Sequence, residues 1–252
     1  MYKRQINTIL SELQKKTYKK GTIEQKLSDF YKLALNVDAR NKAGISPVKP
    51  LLDEMEAAKT KADLQKIQLK YAAQGYGVSF GGGFGADEKN VKMNIFNLGQ
   101  GGLTLGQKDY YVNNDAATVA IREAFKKYVQ KMFQLYGFSA EEAAQKEQAI
   151  FQHETMLALI SKSMTELRDP QANYNKMTLK EFQEKYPNLN FEAMCNAEGI
   201  KSEYIQEMIV GQPAFFAGYD KVAAAECPGT LKALMEWDII NSSASYLSDE
   251  IR

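Results

Sequence analysis

Histidine is almost missing from this sequence: one residue, His153, in 252. That scarcity excludes any metal site built on two imidazoles. Cysteine is scarce too, and two thiols, Cys195 and Cys227, make no disulfide framework in a chain of this size. They can pair only if their Cα atoms come within about 7 Å, which the sequence leaves open. No stretch nears the roughly 18–20 consecutive apolar residues of a membrane helix. The opening residues MYKRQINTIL lack the apolar run of a signal peptide. Excess charge is absent as well. With 32 basic and 31 acidic residues the net charge is +1, which gives no electrostatic case for nucleic acid as a partner.

What is present is a globular composition, 44% hydrophobic and 25% charged, long enough for a sizeable core. Helical patterns dominate. Ile6, Ile9, Leu10 and Leu13 form an apolar stripe. The basic stretch Lys15–Lys20 reads as a solvated helix end. Thr22 to Gln25 reads as a capping box before Leu27, Phe30, Tyr31 and Leu35. Ser46-Pro47 predicts a helix opening that runs to about Ala58, and Thr60 caps another bearing Leu64, Ile67 and Tyr71.

The period then changes to two at Val78-Ser79-Phe80 and Val91 to Ile95, around a polar turn from Gly85 to Asn90. The fold predicted is therefore mostly α, a multi-helix domain with one small β-hairpin at about residues 78–96. Gly81, Gly82 and Gly83 suggest a phosphate loop, but no Gly-Lys-Ser/Thr and no helix start follows them. Long helices are predicted at Ala116–Leu135, stopped by Gly137, and from the capping box Ser139–Glu142 to Ile160. Thr178 caps a short helix ending before Pro187. Met208–Val210 reads as a brief strand and Ala214–Ala225 as a helix. A last helix is expected from Leu231 to the C-terminus, carrying Leu234, Trp237, Ile240 and Leu247.

The lone histidine sits in Phe151-Gln152-His153-Glu154-Thr155-Met156-Leu157. The stretch begins like the zinc motif H-E-x-x-H, whose two imidazoles lie one helical turn apart. Here the second position is Leu157. His153 and Glu154 alone cannot fix a tetrahedral ion, so His153 is expected to be structural or solvent-facing, with no catalytic and no metal-binding residue in the chain.

Three stretches carry a resemblance. Leu103 to Tyr111 contains Asp109-Tyr110-Tyr111. A second is Arg168-Asp169-Pro170, followed by Tyr174-Asn175-Lys176-Met177. The third is Trp237. In order and spacing they resemble the N-terminal region of the neprilysin-like zinc endopeptidases, a family that includes neprilysin, the endothelin-converting enzymes and bacterial oligoendopeptidases. The resemblance covers nearly all 252 residues.

It implies a helical lid over a closed chamber that admits peptides and excludes folded proteins. Residues 1–252 would form a single, truncated lid domain. The zinc helix, the catalytic domain and the substrate-anchoring arginines would lie outside this stretch, with no cofactor here and zinc in the whole enzyme. Arg168 belongs to a different motif and does not take over the arginines' role. The implied partners are the catalytic domain of the same polypeptide and oligopeptide substrates, in an extracytoplasmic setting. The resemblance assigns no substrate-binding residue. The motif residues Asp109, Tyr110, Tyr111, Arg168, Asp169, Pro170, Tyr174, Asn175, Lys176 and Trp237 are expected to hold turns together.

Neither terminal helix shows a closing cap. Exposed apolar side chains at Ile6, Ile9, Leu10, Leu13, Tyr246, Leu247 and Ile251 would then favour self-association. The rival reading is a stand-alone helical interaction protein without chemistry.

Overall fold

The computed structural model describes residues 2–76 and 80–252, so the predicted strand residues Val78 and Ser79 lie outside the described residues. Contacts cluster into two compact units, residues 1–49 with 243–252, and residues 50–242.

The first unit holds helices α1 (Tyr2–Lys15), α2 (Ile23–Ala34) and α3 (Val37–Ala43). Thr22 caps α2 through Gln25 N, but the Gln25 side chain accepts from Gly21 N rather than closing the box on Thr22. Ser28 Oγ donates to Leu13 O at 2.7 Å and joins α1 to α2. Arg40 and Asn41 on α3 bind Asp249, at 2.8 and 3.2 Å, and so hold the C-terminal segment.

In the second unit lie α5 (Lys61–Ala72), strands β1 (Phe80–Asp87) and β2 (Asn90–Gln100), α6 (Asp109–Val112), α7 (Ala116–Leu135) and α8 (Ala140–Ile160). After them come β3 (Lys176–Thr178), α9 (Leu179–Lys185), α10 (Phe191–Ala197), β4 (Glu207–Val210) and α11 (Pro213–Ala225). Helices α4 (Lys49–Ala57) and α12 (Pro228–Ser243) each reach one residue past this unit's ends. Helix α4 begins at Lys49, later than Ser46-Pro47 suggests, because Val48 N and Lys49 N both turn back onto Ile45 O. Pro50 is tolerated in its first turn, where an N–H has no helical partner.

The expected hairpin is half of a four-stranded sheet in the order β1-β2-β4-β3. Strand β2 pairs antiparallel with β1 and parallel with β4, with Phe96 opposite Met208 and Leu98 opposite Val210. Strand β3 completes the sheet against β4, although its three residues carry no period of their own. The glycine run is part of β1, not a phosphate loop. A Cβ on Gly82 would lie 2.5 Å from Cζ of Phe96, so the Phe96 ring occupies the space a side chain would need.

The sheet packs on helices through Phe80, Phe96, Phe182, Met208, Phe215 and Phe216, all buried. Each fully buried large apolar side chain stabilises by about 1.5–3 kcal/mol. Helix α11 meets α8 at Gly218, where an added Cβ would sit 2.8 Å from Ile160 Cγ2. Overpacking costs about 1–3 kcal/mol, while replacing a helical glycine regains roughly 1. Gly218→Ala is therefore expected to lower the thermal midpoint. The Ile160→Ala background should remove most of that loss, and equal losses in both backgrounds would refute the contact.

The chain does not run helical to its end. Helix α12 stops at Ser243 and a 3-10 turn, Ala244–Tyr246, follows. Leu13, Leu247 and Ile251, expected on an exposed patch, are buried, whereas Ile6, Ile9 and Tyr246 are exposed. Both cysteines are free, Cys195 buried and Cys227 exposed. Burial pushes the Cys195 thiol up to about 12.

Candidate functional site

Helix α8 carries Ile150, His153, Glu154 and Leu157 on its buried face. The spacing is that of an apolar stripe, and two of its members are polar. Glu154, 3% exposed, is the hub of the site. Its Oε1 accepts from Thr104 Oγ1 at 2.6 Å, and its Oε2 accepts from Thr104 N at 3.1 Å and from the Tyr111 hydroxyl. Trp237 Nε1 donates to Thr104 Oγ1 at 3.0 Å, and Leu105 N donates to Tyr111 Oη at 3.0 Å. Thr104 and Tyr111 thus meet at the Glu154 carboxyl group, and Trp237 joins them through Thr104. Burial pushes the Glu154 pKa up, while the hydrogen bonds from Thr104 and Tyr111 pull it down, and burial prevails. Burial, then the charge of Glu154, raises the pKa of Tyr111.

His153 is 2% exposed, so it is not solvent-facing. Its Nδ1 lies 2.8 Å from Glu226 Oε1, just past the end of α11, though the approach is not aligned as a hydrogen bond. His153, Glu154 and Glu226 line a cavity of about 300 Å³ together with Tyr71, Phe80 and Trp237. Zinc takes nitrogen, sulfur and oxygen donors that converge on one point. Here both Glu154 oxygens are engaged by donors, and among the described residues no three His, Cys, Asp or Glu side chains converge. The residues present do not fit the metal.

Beside Trp237 on α12, Glu236 points elsewhere and is completely buried. Lys146 Nζ lies 2.6 Å from Glu236 Oε2 and 3.5 Å from Glu56 Oε1. Burial pushes Glu236 up to about 8, and Glu56 is held below the usual range first by its hydrogen bond with Glu236.

The remaining motif residues build the sheet edge. Asp169 Oδ1 accepts from Gln171 N and Ala172 N, closing the turn after Arg168 and Pro170, all three exposed. Tyr174 donates to Asp87 Oδ1 at 2.9 Å, at the tip of the β1–β2 hairpin. Asn175 O accepts from Val210 N at 2.8 Å, and Lys176 Nζ pairs with Glu207 at 2.8 Å. Asp109 O accepts from Asn113 N across α6, and Tyr110 is half-buried. The sequence reading weighed Glu154 only as part of a broken zinc motif and gave Thr104 and Glu226 no role. A carboxylate on the apolar stripe of α8 is the one signal that marks Glu154.

A family model described as "Peptidase family M13" matches residues 1–252. The chain belongs to peptidase family M13. Similar proteins include an endothelin-converting enzyme homolog of Locusta migratoria, 28% identical over 198 residues, covering 75% of this chain and 27% of that protein. Endothelin-converting enzyme-like 1 of Mus musculus is 28% identical over 250 residues, covering 92% and 32%. Among solved structures, a Mycobacterium tuberculosis zinc metalloprotease bound to an inhibitor shares the fold. Its TM-score is 0.90 at 22% identity, over 98% of this chain and 38% of that one. PepO from Lactobacillus rhamnosis gives a TM-score of 0.78 at 20% identity, over 100% and 40%. The chain therefore spans about a third of the length of the M13 relatives it matches, and its mostly helical fold is theirs.

Proposed function

We propose that this chain serves as a non-catalytic lid segment of a zinc-dependent peptidase, restricting which peptides enter a closed chamber. The observation that carries the reading is the family match over all 252 residues in a chain that spans only 38% of a solved zinc metalloprotease of the same fold. A lid acts by steric selection and by excluding bulk water from the reaction. Zinc would activate water in the catalytic part of the whole protein, for which the side chains described here supply no ligand set. The whole protein's peptide substrates, its catalytic-domain partner and its extracytoplasmic setting belong to the same proposal. Among the described residues, no helix is long and apolar enough to cross a membrane.

The test is an assay of this chain with a quenched oligopeptide and added zinc. No turnover is expected. Turnover abolished both by a chelator and by His153→Ala would overturn the reading.

A second reading, a helical interaction module, has one observation in its favour. Ile23, Leu27, Phe30 and Leu33 leave an apolar face of α2 exposed, Phe30 and Leu33 each at 71%. A patch of several such side chains drives association. Sedimentation is expected to show self-association at high concentration, relieved by Phe30→Ser with Leu33→Ser. A strictly monomeric chain at high concentration would count against it.

A further inference from the structure

The cavity beside the Glu154 network has a chemistry that the lid reading does not use. Aromatic rings of Tyr71, Tyr76, Phe80, Tyr219 and Trp237 line it. Its charged lining, Glu154 aside, is Lys61, Glu226 and Asp238, with His153 against Glu226. Lys61 Nζ donates to Ala223 O at 2.8 Å and Ala224 O at 3.5 Å and so sits at the end of α11. Glu226 Oε1 has no hydrogen-bond partner, and its side chain is 9% exposed at the cavity wall. Aromatic faces attract cations, and a desolvated carboxylate requires a counter-charge. The volume of about 300 Å³ admits a small organic group, not a hydrated ion alone.

We propose that this cavity binds an organic cation, a guanidinium or primary ammonium on a short apolar stem. Glu226 is its counter-ion and the aromatic rings hold its stem. The same chemistry is offered by a free small amine and by an arginine or lysine side chain of a peptide.

Trp237 is the only tryptophan in the chain and lines the cavity, so its fluorescence reports occupancy directly. The chain is titrated with n-butylguanidinium and, separately, with the near-isosteric neutral n-butylurea. A saturable change with the cation and none with the urea is expected. Glu226→Gln should weaken the cation by about tenfold or more, the usual size for a charge-assisted hydrogen bond. A third titration uses a short arginine peptide blocked at both ends. The same fluorescence change with that peptide identifies a peptide side chain as the guest, and its absence beside a response to butylguanidinium identifies a free amine.

Equal responses to the cation and the urea would overturn the proposal, as would no saturable response to either, or unaltered affinity in Glu226→Gln. Should far-UV circular dichroism show Glu226→Gln unfolded, the cation–urea pair on the unmodified chain decides alone. None of these readouts depends on peptidase activity, so the lid reading and this site stand or fall separately.

Discussion

Replacing Lys146 by methionine is expected to cost about 3–5 kcal/mol of folding stability at pH 9, and clearly less at pH 6. Lys146 Nζ sits 2.6 Å from Glu236 Oε2, on a side chain with no solvent exposure. It also lies 4.7 Å from the centre of the Phe138 ring. Glu236 holds its proton up to about pH 8 in the folded chain, against 4.5 for an ordinary glutamate. Between those values the folded state binds a proton that the unfolded state has lost. The stability this proton contributes is complete below pH 4.5 and is lost as pH rises through about 8.

Lys146 is the group that favours the Glu236 carboxylate, so removing it raises the folded pKa further. At pH 6 the variant loses a hydrogen bond and some packing. At pH 9 it must bury a carboxylate without its ammonium, or hold a proton against the solution. Urea denaturation at both pH values checks the difference. Lys146→Met with Glu236→Leu should recover most of the loss at pH 9, since a buried ion pair can be exchanged for apolar residues at little cost. Equal losses at pH 6 and pH 9 would show that Lys146 acts by packing alone.

Trp237→Ala is expected to destabilise by about 3–5 kcal/mol, the usual size for emptying a buried aromatic site. Trp237 is 4% exposed, and its ring meets Phe125, Tyr128 and Phe133 at centroid distances of 6.2, 5.7 and 6.2 Å. Those rings lie on α7, so the indole fastens α12 to α7. Its other contact, Nε1 to Thr104 Oγ1, is one neutral hydrogen bond worth about 1 kcal/mol. Trp237→Phe keeps most of the ring contact and loses that bond, so it should cost far less. Thermal unfolding of the two variants separates the contributions. A Phe variant as damaged as the Ala variant would mean that the link to Thr104 and Glu154, rather than ring packing, holds α12.

Much of the local structure could be read directly. The boxes at Ser139 and Thr178 start α8 and α9 where expected, because a side chain three residues from its partner closes a cap without outside help. The apolar periods of α7 and α8 were likewise local, whereas the period of β2 located the strand but not its buried face: Val91 and Met93 are exposed, and Phe96 and Leu98 enter the core. The motif resemblance placed the chain in its family, and the fold class followed.

Other features were decided by neighbours distant in sequence. Strand β3 exists because β4 offers it hydrogen bonds, and the last helix stops at Ser243 although the apolar period continues. The site was the least legible part. Sequence showed Asp109-Tyr110-Tyr111, Trp237 and the broken zinc motif as three separate features. Only the packed chain brings Tyr111 and Thr104 to Glu154, across 43 and 50 residues, and Trp237 to Thr104, across 133. A period shows which face of a helix is buried, but it cannot name the partner across that face. A buried carboxyl is tolerated only where donors from other segments converge on it, and that convergence is a property of the tertiary structure alone.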